Sequence, residues 1–238
     1  MHVLYQVVRK LLTLTLYIGI SLGIVACEGS IEPTETPAPT PSSTPAPVAK
    51  SISANLSGVK IDLRVPPGWN GREMDDGILI AERKSPIHNP GKLMGMQAYI
   101  FVHAVNDFPA SVSTDSHPAR RILQKIVSQP NLVGDSAVSE PQSFTWDGND
   151  AAYYLVNDTN ENVSLVMAVI VENESQLVAI NISSPSDRAD SIRDALPVLL
   201  ADLWVNDTPM SFTEVNALPD PLVFPTYKQL TSTPTASH

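Results

Sequence analysis

The clearest pattern in the chain is a strict alternation: Val59, Ile61, Leu63 and Val65 are separated by Lys60, Asp62 and Arg64. A period of two sends successive side chains to opposite faces, so this run predicts a half-buried strand. Pro66-Pro67-Gly68 ends it and delivers Trp69. Two more strands are expected over 78–82 and 96–105, joined by a loop over 83–95 that holds Pro86, Pro90 and two glycines. Four follow, at about 138–146, 150–157, 163–172 and 175–183, with a polar hairpin loop over Asn157–Asn162 and a tight turn at Asn173-Glu174. Every residue from Leu165 to Val171 is apolar, the mark of a central strand covered on both faces.

The period changes twice. Ala119, Ile122, Leu123, Ile126 and Val127 make a helical stripe, opened by Pro118 and stopped by Pro130, with Arg120, Arg121, Gln124 and Lys125 facing away. A last helix is expected from Ser186 and Asp187, with the stripe Ala189, Ile192, Leu196, Leu199 and Leu203. Pro197 lies inside it and should kink or split it. Strands that outnumber helices and neighbour one another in sequence predict an α+β domain over 51–207, with a mainly antiparallel sheet of six to seven strands and two main helices. That length suits one core.

The N-terminal end follows another rule. Arg9 and Lys10 precede the uncharged apolar stretch Leu11–Ala26, sixteen residues where a membrane-spanning helix needs about 20. The stretch reads as the apolar region of an export signal. It ends in Ile24-Val25-Ala26-Cys27, which resembles the lipobox of bacterial lipoprotein precursors. That resemblance implies cleavage after Ala26, lipid (palmitate among its acyl chains) on the Cys27 thiol, and a membrane-bound protein on the extracytoplasmic face. Each buried CH₂ is worth about 0.8 kcal/mol, so two chains hold where one is marginal. Cys27 is the only cysteine, so no disulfide forms within the chain and the core must supply the stability.

Residues 28–50 carry six prolines among Thr, Ser and Ala and no aromatic residue, a composition that stays extended. At about 3.1 Å per residue the segment could reach roughly 70 Å. The organisation is therefore a signal over 1–26, Cys27 and a linker to 50, the domain over 51–207, and a Pro/Thr-rich tail over 208–238. In the tail, Leu222, Val223 and Phe224 can pack on the domain, and the end beyond 230 is expected to be disordered.

Charge narrows the partners. Removing Arg9 and Lys10 from the 15 Lys+Arg leaves 13 against 25 Asp+Glu, a net charge of −12. Nucleic acid, which calls for a basic footprint, is excluded on that ground, and so is general adhesion to anionic lipid. Six Asn-x-Ser/Thr sequons, at Asn55, Asn157, Asn162, Asn173, Asn181 and Asn206, read as coincidence in a bacterial chain rich in these residues.

Three local stretches carry a further likeness: Val65-Pro66-Pro67-Gly68-Trp69 after the opening strand, Phe144-Thr145-Trp146-Asp147-Gly148-Asn149-Asp150-Ala151 entering a hairpin, and Asn181-Ile182-Ser183-Ser184-Pro185 before a helix with Pro197 inside it. With the order of elements, they resemble the PsbP-like and DcrB-like domains of many bacterial lipoproteins, across about 55–205. The resemblance implies the fold, an α/β/α sandwich. It carries no activity and no functional residue with it, because these families share no single chemistry.

Candidate chemistry is sparse. No Gly-x-Ser-x-Gly elbow, His-Glu-x-x-His, P-loop or Gly-x-Gly-x-x-Gly is present, so no catalytic residue and no cofactor are assigned. His88, His103 and His117 lie in the domain; His103 and His117 with Asp107 and Asp115 are the metal-ligand candidates, though their spacing matches no known signature. Asp158, Glu161 and the asparagines of 157–162 offer oxygens for Ca²⁺ without EF-hand spacing, which favours a polar loop. Trp69, Trp146 and Trp204 are expected in the core, and one of Tyr153 and Tyr154 is expected buried. Arg120, Arg121 and Lys125 make a basic cluster that reads as a solvated helix face. The sequence thus predicts a binding or assembly-support module of the cell envelope that is not an enzyme, with an unidentified envelope protein as partner. A divalent-metal or small-ligand carrier is the alternative, followed by a hydrolase with an unrecognised site.

Overall fold

The computed structural model describes residues 50–84, 87–88, 91–108, 116–171, 175–210 and 215–226. Cys27 and the segments on either side of it, Asp115, the turn at Asn173-Glu174 and the chain beyond 226 lie outside these residues, as does the side chain of His88.

The strands are β1 (Lys50–Leu56), β2 (Val59–Val65), β3 (Asn70–Met74), β4 (Gly77–Ala81), β5 (Ile87–His88), β6 (Lys92–Leu93), β7 (Gln97–Ala104), β8 (Ala137–Val138), β9 (Gln142–Trp146), β10 (Asn149–Asn157), β11 (Asn162–Val171), β12 (Gln176–Pro185), β13 (Trp204–Val205) and β14 (Thr208–Pro209). The two main helices are α1 (Pro118–Val127) and α2 (Ser191–Leu200).

The large antiparallel sheet runs β3-β4-β7-β12-β11-β10, and β8 and β9 share the outer edge of β10. It therefore has eight strands, above the six to seven expected. The run 138–146 is two strands because Ser139-Glu140-Pro141 interrupts it. There the Ser139 hydroxyl accepts from the Leu155 amide at 2.9 Å in place of a ladder carbonyl.

A second antiparallel sheet, β1-β2-β13-β14, was not foreseen. Its first strand carries a legible alternation (Ile52, Ala54, Leu56), but its other positions are Ser, Asn and Lys. That polarity keeps 51–56 from reading as a strand, although the stretch lies inside the expected domain. Three hairpins of the two sheets turn on residue pairs with positive φ: Ser57-Gly58, Asp147-Gly148 and Asn206-Asp207. Turns of that kind match the right-handed twist of paired strands.

Alternation distributes the core. On one face of the large sheet Ile78, Ile80, Ile100, Met167 and Ile180 pack with Ile61 and Leu63 of β2 and with Ile192, Leu196 and Leu199 of α2. On the other face Ala152, Tyr154, Ala168, Ile170 and Leu177 pack with Ala119, Ile122 and Leu123 of α1. Strand β11 contributes to both clusters, as its unbroken apolar run requires. The layers are α1, the large sheet, and then the small sheet with α2, which is the expected α+β sandwich with an added sheet. Met210, Val215, Leu218 and Leu222 extend the core beyond 207.

The helices differ in detail from expectation. Pro130 ends α1 and also opens a single helical turn, Pro130–Val133. The last helix starts at Ser191, after a 3₁₀ turn at Ser186–Arg188, and Pro197 sits within it without splitting it. No helix among the described residues is long and apolar enough to cross a membrane.

Candidate functional site

The candidate histidines stand on or beside the face of the large sheet that α1 partly covers. Helix α1 lies over β9, β10 and β11. Beyond it β7 presents Gln97, Tyr99, Phe101 and His103, all half-buried, while Ala98, Ile100 and Val102 point into the opposite core. Alternation alone produces this division.

The rings form a ladder along the strand. Tyr99 and Phe101 are 5.6 Å apart, Phe101 meets His103 edge-on at 5.3 Å, and His103 meets Phe108 edge-on at 6.1 Å. The Tyr99 hydroxyl donates to Asp76, in the turn between β3 and β4. Burial, with the Asp76 hydrogen bond and the charges of Asp76 and Asp75, pushes the Tyr99 phenol well above its ordinary range. Burial also holds the His103 imidazole below its usual value, against the opposing pull of Asp107 and Asp76. This strip was missed from sequence, although an aromatic or histidine at every second position from Tyr99 to His103 was its signal.

His117 has a different environment. It precedes α1 without capping it through its side chain. Asp150, on β10, does that instead: Oδ2 accepts from the Ala119 amide at 2.6 Å, while Oδ1 lies 3.1 Å from His117 Nδ1. His103 and His117 thus each deal with their own carboxylates. No group of three His, Cys, Asp or Glu able to hold a metal ion occurs among the described residues, and Asp115 lies outside them. Among the described residues His103 meets the rings of Phe101 and Phe108.

The hairpin loop over Asp158–Asn162 is a latch. Asp158 Oδ1 accepts from the amides of Asn160 and Asn162 at 2.8 and 2.9 Å. The Asn162 side chain is buried; it donates to Asp158 Oδ2 and to the Gly91 carbonyl, each at 3.0 Å, and accepts from the Leu93 amide at 2.8 Å. Glu161 pairs with Lys92, and that hydrogen bond lowers its carboxyl below the ordinary range. Of the oxygens considered for Ca²⁺, those of Asp158 accept N–H donors of their own loop, while Asn162 Oδ1 and a Glu161 oxygen accept donors that fasten β6 to it.

A second fastening joins the end of β4 to the turn after β12. Arg188 grips Glu82 with both guanidinium nitrogens, at 2.7 and 2.9 Å, and Glu82 also accepts from the Met96 amide at 2.9 Å. The Arg188 hydrogen bond holds the Glu82 carboxyl below its usual value.

The aromatic expectations divide. Trp146 is fully buried, stacked 6.3 Å from Phe144, and Trp69 packs partly buried against the core. Trp204 is a correction: it is 41 % exposed. Its neighbour Val205 points inward, so alternation in β13 turns Trp204 to the polar outer face, opposite Asp62. Both Tyr153 and Tyr154 are buried, one in each core cluster, and burial pushes the Tyr154 phenol up to about 12. The α1 basic cluster is also corrected. Arg120, Arg121 and Lys125 are half-buried, with the Nε atoms of both arginines enclosed. In the tail Leu222 is buried and Phe224 packs against the core, but Val223 is exposed.

Neither a family model nor a curated protein matches the chain. Solved structures do resemble it. Cyanobacterial PsbP from Synechocystis matches with a TM-score of 0.43 at 15 % identity, over 69 % of this chain and 97 % of that one. LpqN of Mycobacterium tuberculosis, described as involved in cell envelope biogenesis, matches with a TM-score of 0.43 at 12 % identity, over 67 % of this chain and 92 % of that one. The Ran-binding protein Mog1p of Saccharomyces cerevisiae matches with a TM-score of 0.36 at 13 % identity, over 62 % of this chain and 82 % of that one. The chain is thus similar to a PsbP and to an envelope protein at the level of fold, and no activity follows from that.

Proposed function

We propose that the chain is a non-catalytic binding or assembly-support module, held on the extracytoplasmic face of a membrane by lipid on Cys27. The observation that carries this reading is the position of Cys27. It closes an uncharged apolar stretch and stands before a proline-rich segment that leads to a self-sufficient core beginning at Lys50. A lipid there fixes the body near a membrane, and the intervening residues give it reach. The polar groups of the domain support the same reading. Asp150 and Glu82 each hold one element to another and Asp158 holds its own hairpin loop, which is structural use.

Cys27→Ser should move the protein from the membrane pellet to the soluble fraction, and mass spectrometry of the wild type should find acyl chains on the mature N-terminal residue. Unchanged pelleting of the mutant sinks the anchor. Crosslinking in native membranes then addresses the module itself: a binding or support role requires a recurrent crosslinked partner, and its absence counts against the role.

A further inference from the structure

We propose that the edge of the large sheet at β3–β4 is a docking groove for an acidic peptide segment of a partner protein. This deepens the preceding reading and rests on it. The groove has a volume of about 160 Å³ and is lined by Asn70, Arg72 and the Gly71 backbone of β3, Leu79 and Ala81 of β4, and Arg83 and Lys84 just beyond.

Alternation fixes which face this is. Gly71 points toward the small sheet, where an added Cβ would come within 2.5 Å of Ile52 and Val65 side-chain atoms. Asn70 and Arg72 therefore point the other way, opposite Ala81 and Leu79 in register. Leu79 and Ala81 form an apolar floor outside the main core clusters, and Arg72, Arg83 and Lys84 form a cationic rim.

The rim cations have no ion pair among the described residues, and three nearby carboxylates are turned away or engaged. Glu82 is gripped by Arg188, Asp76 receives the Tyr99 hydroxyl, and Glu73 belongs by alternation to the Gly71 face. Three cations thus converge on one groove of a chain whose net charge is −10. An acidic partner is repelled by the rest of such a body and attracted here, which selects one docking orientation. Arginine pairs carboxylates with two parallel hydrogen bonds, and the floor accepts an apolar side chain between them.

The volume argues for a peptide over a small-molecule ligand, whose sites run to about 300–1,000 Å³. The net negative charge argues against an anionic bilayer, which repels the rest of the body.

The test titrates the full chain in detergent with a fluorescein-labelled hexaglutamate peptide. The expected result is saturable binding that weakens as salt rises. Arg72→Gln with Arg83→Gln should weaken it about tenfold or more, equivalent to about 1.4 kcal/mol. Arg64→Gln with Lys125→Gln removes the same charge from other surfaces and should leave binding unchanged. Circular dichroism of both variants should match the wild type, since the substituted side chains lie outside the core. The assignment is overturned by equal losses in the two variants, by no loss in the first, by no binding at all, or by binding to phosphatidylglycerol vesicles alone. A partner crosslinked in native membranes by a protein that ignores hexaglutamate sinks the groove and leaves the module reading standing. No crosslinked partner at all sinks the module reading itself.

Discussion

His103 shows how much one residue's setting differs from its letter. In the sequence it is a histidine near the end of an apolar run, eligible as a metal ligand. In the fold it is one ring of a ladder, between Phe101 and Phe108. Burial lowers its pKa below the ordinary 6.5. The unfolded chain therefore binds more protons than the folded one in the window beneath 6.5, and stability must fall as pH drops through it. Urea unfolding between about pH 7 and pH 5 should show this decline, and His103→Gln should flatten it. A wild-type profile that stays level across the window contradicts the buried, neutral imidazole. Trp204 teaches the converse lesson. Its type argued for the core, yet the inward turn of Val205 leaves it outside. Composition reads what a side chain prefers; the parity of its strand decides which face it gets.

Elements depend on contacts that single residues supply from elsewhere. Helix α1 has no side-chain cap at His117, and Asp150 of β10 accepts the Ala119 amide from across the interface. Asp150→Ala should cost about 1–2 kcal/mol, read as a lower denaturation midpoint with unchanged slope, because it leaves a helix-terminal donor without its acceptor. Gly77 matters for a different reason. A Cβ there would lie 2.4 Å from the backbone carbonyl of Ile100, across the β4–β7 pairing. Gly71→Ala meets only the side chains of Ile52 and Val65, which can swing aside. Gly77→Ala should therefore destabilise more than Gly71→Ala, by about 1–3 kcal/mol against less, in parallel thermal melts.

The same contrast explains which elements were readable. Strands β2, β7, β11 and β12 announce themselves because each buries one face or both. Strand β3, with the sequence Asn-Gly-Arg-Glu-Met, has no apolar alternation to read, since it is an edge strand whose inward position is a glycine tucked under Ile52 and Val65. The groove beside it was illegible for that reason. Arg83 and Lys84 are adjacent but Arg72 is eleven positions away in no obvious motif, and only the pairing of Arg72 with Leu79 brings all three around one floor.

At the scale of the whole molecule, two sheets share one core and α2 closes it, while α1 covers part of the far side. The fasteners Glu82–Arg188 and Asn162–Gly91 tie the loops between strands to that frame, leaving the outer edge at β3–β4 as the place where positive charge gathers. The small sheet has an edge of its own at β1, and it is through β1 that the chain arrives from the direction of Cys27. Any drag on an anchored body would reach it at Lys50, in a strand zipped to a single neighbour through seven matched positions. The load would then fall first on one hairpin, and the bond from the Lys50 ammonium to the Gly71 carbonyl would pass part of it to the edge of the broad sheet.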